Sequence, residues 1–500
     1  MKRIYNIISR YIVGAGVVIL ASCKTGGDVN VSPNQSPNVQ SGYLLTSSLQ
    51  FLGGTGGSGA TTNINSYAGE LYSQYLSETF YTNESLFSLK QYDYQGYYTG
   101  PLKDLKTIIE VNTDASTKGL QAITRFGSNS NQIATARILT AFVYLTITDR
   151  WGDIPYSQAL SGKANFTPAF DPQKDIYTAL MKELDEAQKQ FDGGATIPAQ
   201  QDILFGGDIT KWKHWANSLH AIMALRLSKV DPTTGRAEYA KAVAGGLMDS
   251  NNDNATYVYL AAQTNENPYY GNYRSRYDYA VSSLVVNTLS GLNDPRLPVY
   301  AAQTASKTYV GLPYGTSGAA LGQYSKGTRS KPGNISLIGI KVSDQNSPTV
   351  WTSFAQVMFT QAEAAHLGWI TGGDAAAATF YNKGVAASLE QNGVSSSDES
   401  AYLAQASVKF SAATAMNQIM TQKWIAGFLG NGWESWAEYR RTGLPKLLDP
   451  VPGSLSPDQK IPRRQQYPQT ENDLNKANYN AVIARQGPDA LNTRVYWDKQ

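Results

Sequence analysis

Apolar and small side chains return every three or four residues in five stretches of this chain, the period of a helix with one face turned inward. Between Asn131 and Arg150 the stripe is Ala134, Ile138, Ala141, Phe142 and Leu145. Its remaining faces are also rather apolar, which predicts a buried helix. Ile176, Leu180 and Leu184 repeat at i+4 beside Tyr177 and Met181, while Lys182, Glu183, Asp185 and Glu186 form the solvent side. Trp212, Trp215, Ala216, Leu219, Ile222 and Met223 give a third stripe, opened by Asp208 as its N-cap with Thr210 nearby. Phe354, Val357, Met358, Ala362 and Ala365 form a fourth. The fifth starts at Asp374 after Gly372-Gly373 and sets Ala377, Tyr381 and Gly384 at i, i+4 and i+7.

The last two stripes read as a pair. Ala362 through Gly368, then Ala375 through Ala386, resembles a degenerate tetratricopeptide repeat, in which small and aromatic positions let two antiparallel helices interlock. The segments 131–150 with 175–190, and 208–229 with 236–248, pair in the same way. Between and after these pairs lie stretches rich in Gly, Asn, Ser and Tyr, at 250–280, 300–350 and 450–500. Loops of that length are usually functional. The expectation is a mainly α chain, a body of tetratricopeptide-like helix pairs with long irregular loop insertions.

The N-terminus follows a different pattern. Lys2, Arg3 and Arg10 precede the uncharged run Tyr11–Leu20, and Leu20-Ala21-Ser22-Cys23 ends it. A basic start, a short apolar run and small residues at the end form a secretory signal. A cysteine directly after the small pair makes it resemble a lipobox, with Cys23 acylated. The alternative is an ordinary cleaved signal with an incidental cysteine. The run is too short for a membrane span, which needs about 20 apolar residues. Segment 1–22 is thus expected to be a lipoprotein signal, 23–40 a lipidated tether of Gly, Ser, Asn and Pro, and 41–500 one helical domain.

Charge narrows the partners. Lys2, Arg3 and Arg10 are three of 42 basic residues, so the chain from Cys23 onward carries 39 basic against 39 acidic. A neutral chain with 16% charged residues has no basic footprint for nucleic acid or anionic lipid, leaving the lipid anchor as the membrane attachment. With Cys23 the only cysteine, no internal disulfide forms.

Enzymatic signals are scarce. Among three histidines, His214 and His220 stand six apart on one helix and miss the spacing of a helical metal pair; His366 sits in a small-residue helix. There is no nucleophile elbow and no phosphate loop, and the Gly-rich run Gly53–Gly59 lacks a following Lys-Ser/Thr. No cofactor, metal or catalytic residue is therefore assigned. A glycosidase pair needs two carboxyls about 5–10 Å apart, a distance sequence spacing does not report. A surface glycosidase or peptidase on a helical scaffold stays open as an alternative, as does a periplasm-facing assembly lipoprotein. Stacked helices more often build binding surfaces.

Blocks in register along the chain carry a family resemblance. Thr148-Asp149-Arg150-Trp151-Gly152-Asp153-Ile154-Pro155-Tyr156 is followed by Phe170-Asp171-Pro172, by Gly207-Asp208 with Lys211-Trp212, and by Asp294-Pro295-Arg296-Leu297. Gly311-Leu312-Pro313-Tyr314-Gly315, Gln422-Lys423-Trp424 and Arg440-Arg441-Thr442-Gly443 complete the order. Together they resemble the SusD/RagB family of nutrient-binding outer-membrane lipoproteins, in its second SusD-like subgroup. The resemblance implies four tetratricopeptide-like helix pairs. It also implies a place outside the outer membrane, and a SusC-like TonB-dependent barrel as partner that receives captured oligosaccharides or peptides. One departure stands out: Lys24-Thr25-Gly26-Gly27 intervenes between Cys23 and Asp28, where surface-exported lipoproteins often carry acidic residues.

Signature residues read as structural: Trp151 and Pro155 end a buried helix, Arg440 and Arg441 pair with carboxylates, and Asp294-Pro295 marks a turn. Ligand contacts are expected instead in two aromatic-dense loops, at Tyr92, Tyr94, Tyr97 and Tyr98, and at Tyr269, Tyr270, Asn272 and Tyr273. Thirty-two tyrosines make the residue type abundant. A tyrosine ring offers a flat face for a sugar or side chain plus a hydroxyl, and asparagine adds hydrogen bonds.

Overall fold

The long helices fall into antiparallel pairs. A computed structural model describes residues 40–54, 64, 66–88, 92–316, 320–325 and 332–499. The signal 1–22, Cys23, the tether up to Val39 and most of the Gly53–Gly59 run lie outside the described residues. In chain order the elements used below are α1 (Ser41–Gly53), α2 (Tyr67–Tyr72), β1 (Leu76–Glu78), α3 (Lys103–Thr113) and α4 (Asn129–Trp151). Then come β2 (Ile154–Pro155), β3 (Phe170–Asp171), α5 (Gln173–Gln190), α6 (Ile209–Arg226), α7 (Pro232–Ala244) and β4 (Ala255–Tyr257). The rest are α8 (Pro268–Tyr273), β5 (Tyr279–Val281), β6 (Thr349–Thr352), α9 (Phe354–His366), α10 (Gly373–Gln391), α11 (Ala415–Ala426), α12 (Gly432–Thr442) and α13 (Lys476–Gln486).

Among the described residues four pairs result: α1 with α3, α4 with α5, α6 with α7, and α9 with α10. Three are those the periodicity predicts, each within a few residues of the expected bounds. Asp208 caps α6 as expected, its carboxylate accepting from the backbone N–H of Thr210 and Lys211. The α4–α5 pair is clamped by Arg137, whose Nε and Nη2 donate to the Glu183 carboxylate at 2.6 and 2.8 Å. In the α9–α10 pair Gly384 provides the small seat of the repeat, because a Cβ there would stand 2.8 Å from the Phe359 ring. Helix α4 is buried along most of its length, as its all-round apolar pattern requires. It stops at Gly152, which holds φ +85° where a Cβ would meet Gln486 Oε1 at 2.0 Å.

Where described, the Gly/Asn/Tyr-rich stretches are mostly irregular, but they are stitched to the helices by short elements. Among the described residues three two-stranded antiparallel ladders form, β1 with β5, β2 with β3, and β4 with β6. The C-terminal segment runs against the end of α4: the Gln465 N–H donates to Arg150 O at 2.9 Å, and Trp151 Nε1 donates to Gln466 O at 2.9 Å. Trp497 Nε1 reaches Asp149 at 3.0 Å. Among the described residues no helix is long and apolar enough to cross a membrane.

The signature motifs meet in a buried charge network. Asp149 accepts from Tyr177 Oη and from Arg226 Nη1 at 2.9 Å, and Arg226 also pairs with Glu434 at 2.6 Å and Glu438 at 3.3 Å. Arg441 grips Glu363 at 2.6 and 2.7 Å and Glu438 at 2.5 Å, as expected of a partner for carboxylates. Arg440 corrects that expectation. Among the described residues it makes no salt bridge; its guanidinium lies 3.6 Å from the centre of the Trp436 ring and 4.7 Å from that of Trp497, and Nη1 donates to Arg463 O at 3.0 Å. Burial draws its pKa down to about 9, with Asp149 and Asp498 opposing that shift.

Candidate functional site

An aromatic face forms where β1 leaves the body. The β1–β5 register sets Leu76 opposite Val281, Ser77 opposite Ala280 and Glu78 opposite Tyr279. Thr79 extends the pairing, its N–H donating to Asp278 O at 2.8 Å and its hydroxyl to Tyr277 O. The next two side chains, Phe80 and Tyr81, are exposed, at 36% and 48%, and stand edge to face with ring centres 5.0 Å apart. Exposed aromatic pairs of this kind carry a large contact area at low entropic cost.

Helix α8 frames the other side. Asn267 caps it, accepting from the Tyr269 N–H at 2.9 Å and donating to Ser347 O at 2.9 Å. Tyr270 is half-buried, with the Arg274 guanidinium 5.4 Å from its ring centre, and Arg274 is paired with Glu266. Arg276 pairs with Asp278 at 2.8 Å. Tyr273 donates to Tyr279 O at 2.7 Å and packs 5.1 Å from half-buried Tyr277. Ring surfaces and guanidinium–carboxylate pairs therefore occur on both segments, groups able to stack on a sugar ring and to bond its hydroxyls.

Beneath it lie two carboxyls. Glu78 accepts from the Ser85 N–H at 2.9 Å and from its hydroxyl at 2.6 Å, and burial nevertheless pushes its pKa up to about 8. Burial also raises Glu84 to about 7.

The residues expected from sequence divide sharply. Tyr270, Asn272 and Tyr273 lie at this face, half-buried; Asn272 is engaged by Asp278 across the 272–278 turn, at 3.2 and 3.3 Å. Tyr269 is fully buried, edge-on to Tyr67 at 5.0 Å. Tyr92, Tyr94 and Tyr97 are buried as well. Tyr94 donates to Glu471 at 2.8 Å and packs 5.1 Å from Trp151, while Tyr97 accepts from Arg150 Nη1 at 3.0 Å. Tyr98 is half-buried and donates to Pro155 O at 2.6 Å. Tyr94, Tyr97 and Tyr98 cement the end of α4, while Tyr92 stands edge-on to Tyr72 at 6.2 Å, and the three buried ones, with Tyr269, keep no open ring face in this conformation. Sequence reasoning missed Phe80, Tyr81, Arg274 and Arg276; the adjacent aromatic pair inside the polar run Thr79–Asn83 was the available signal.

Among the described residues, His214, Asp249 and Asp253 form the group whose ligand atoms could approach one metal ion, lying within 4.8 Å of one another. Hydrogen bonds already join them: Asp253 Oδ2 lies 2.9 Å from His214 Nδ1 and accepts from the Asp249 N–H at 3.0 Å.

Comparison with known proteins extends this picture. Residues 33–468 match the model of a SusD-like family described as starch-binding and associating with the outer membrane. A solved chitin-binding protein is 28% identical, with a TM-score of 0.76, over 92% of this chain and 100% of its own. A chitin-binding SusD homolog from Flavobacterium johnsoniae is 24% identical, with a TM-score of 0.76, over 92% and 98%. A SusD homolog from Bacteroides fragilis NCTC 9343, 22% identical over 92% and 100%, superposes with a TM-score of 0.78. The last two share the fold. No curated protein sequence matches significantly.

Proposed function

The chain belongs to the SusD-like family, whose description is starch-binding and outer-membrane association, and from that premise we propose that it captures glycans at the outer membrane and hands them to a SusC-like TonB-dependent barrel. The observation that carries the reading is the exposed Phe80–Tyr81 pair, set by the Thr79 pairing against the 277–278 turn, where Arg276 pairs with Asp278. In this proposal Cys23 is acylated, residues 23–40 tether the body, and segment 41–500 does the binding. The 28% identical chitin-binding relative makes oligosaccharides of chitin type the first ligands to try, with peptides as the second class.

Binding without turnover suits the site. A hydrolase needs two carboxyls facing the ligand, whereas Glu78 is buried and engaged by Ser85. Capture for import also requires release. A dissociation constant in the micromolar range, about −8 kcal/mol, allows it, while a nanomolar grip would slow it through the off-rate.

The test is mild detergent extraction of the tagged full-length protein from its native membrane. A TonB-dependent barrel in near-stoichiometric amount is the expected companion, with fatty acid on Cys23 that a Cys23→Ser variant lacks. Recovery of the lipidated protein without any barrel would sink the delivery role.

A further inference from the structure

A second concavity lies where α9, α11 and α12 meet the segment 342–351, and it shares no lining residue with the aromatic face. Its mouth runs between the exposed Pro348 and the half-buried Leu444 and Pro445. The centres of water molecules can occupy about 80 Å³ of it, whereas one water needs only about 10–15 Å³. One wall is aromatic, built from Trp424 and the stacked pair Tyr300–Phe428, whose ring centres are 4.4 Å apart.

The floor is polar, and its groups are incompletely used. Lys423 is buried, yet its nearest oxygens are Thr360 Oγ1 at 3.3 Å and Glu438 at 3.4 Å. Both are long for a charge-assisted bond, which runs about 2.7–2.9 Å. Trp351 is 1% exposed, lines both this cleft and the smaller one adjoining it, and its Nε1–H has no acceptor among the described residues. A buried donor in that state is costly unless something polar meets it. Glu434 is half-buried at the same floor, with one carboxylate oxygen on Arg226 at 2.6 Å.

We propose that this cleft is a second ligand site, taking one neutral, hydroxyl-bearing ring of monosaccharide size. The chemistry selects that class. A hydroxyl both donates and accepts, so one kind of group can serve the Lys423 ammonium, the Trp351 N–H and the Glu434 carboxylate together. An anion would face Glu434 and Glu438, and a cation would face Lys423 with Arg226 and Arg441 behind it. The aromatic wall suits the C–H face of a sugar ring.

Calorimetric titration of the full-length protein with glucose and with N-acetylglucosamine tests the site. Saturable binding of at least one, with a millimolar dissociation constant, is expected. It should persist in the Phe80→Ala/Tyr81→Ala double variant. It should weaken at least tenfold in Ala426→Trp, which fills the cleft from a half-buried lining position. Leu444→Trp at the mouth gives the same reading should Ala426→Trp fail to fold. Absence of saturable binding by both sugars overturns the proposal, as does binding that both cleft variants retain and the aromatic-face variant loses. Oligosaccharide binding in the aromatic-face variant is a separate measurement, so the two sites stand or fall independently.

Discussion

Replacing Arg441 with methionine should cost stability and leave glycan binding intact, because the double-arginine signature holds the core together. Arg441 and Glu363 are each 1% exposed and meet through two parallel bonds of 2.6 and 2.7 Å. Methionine keeps most of the volume but leaves the Glu363 carboxylate buried without its cation. Glu438 keeps Lys423 and Arg226. Breaking one side of a buried pair costs about 3–5 kcal/mol. Unfolding entropy near 60 °C is about 2.1 cal/mol/K per residue, so a unit spanning Ser41–Gln500 carries roughly 1 kcal/mol/K. The expected fall in Tm is therefore about 3–5 °C in a thermal melt. The Arg441→Met/Glu363→Met double variant removes both charges and should recover most of the loss. An unchanged Tm in the single variant, or a double variant no more stable than the single, would refute the reasoning. So would loss of oligosaccharide binding by folded Arg441→Met protein.

Three further outcomes are expected. Phe80→Ala/Tyr81→Ala should weaken chitooligosaccharide binding about tenfold, roughly 1.4 kcal/mol, with Tm unchanged since both rings are exposed; unaltered affinity would move the site elsewhere. Glu78→Gln should flatten the pH dependence of stability. The native carboxyl titrates near 8 against an ordinary value of 4.5, so its contribution is full below about pH 4.5 and is lost as pH rises through 8. Glu70, buried and also raised to about 8, adds a slope of the same sign, so melts across this range should show a shallower decline in the variant, not a level one. Gly384→Val should destabilise by about 1–3 kcal/mol through collision with the Phe359 ring, read as a lowered denaturation midpoint.

Three of the four helix pairs were legible in the chain because their signal is local; the α1–α3 pair was not among them. A period of 3.6 residues, a capping Asp208 and a seat at Gly384 lie within one or two turns of the residues they serve. The blocks around Asp149-Arg150-Trp151 and Arg440-Arg441 carried the family for the same reason, and Arg441 found its carboxylates. Other features depended on partners in distant segments of the chain. Whether a tyrosine presents a ring or buries it was decided by contacts such as Tyr94 with Glu471 and Tyr67 with Tyr269. Arg440 lies on Trp436, one turn away on α12, and under Trp497 instead of on an acid, because the C-terminal segment closes over it. The aromatic face arose the same way: pairing of β1 with β5 brings Phe80 and Tyr81 beside Tyr277, two segments that composition describes only as polar and aromatic. The residues of each short segment determine what it can become, since helix and cap energies are local. Which side chains remain at the surface is settled only when distant segments compete for the same buried volume.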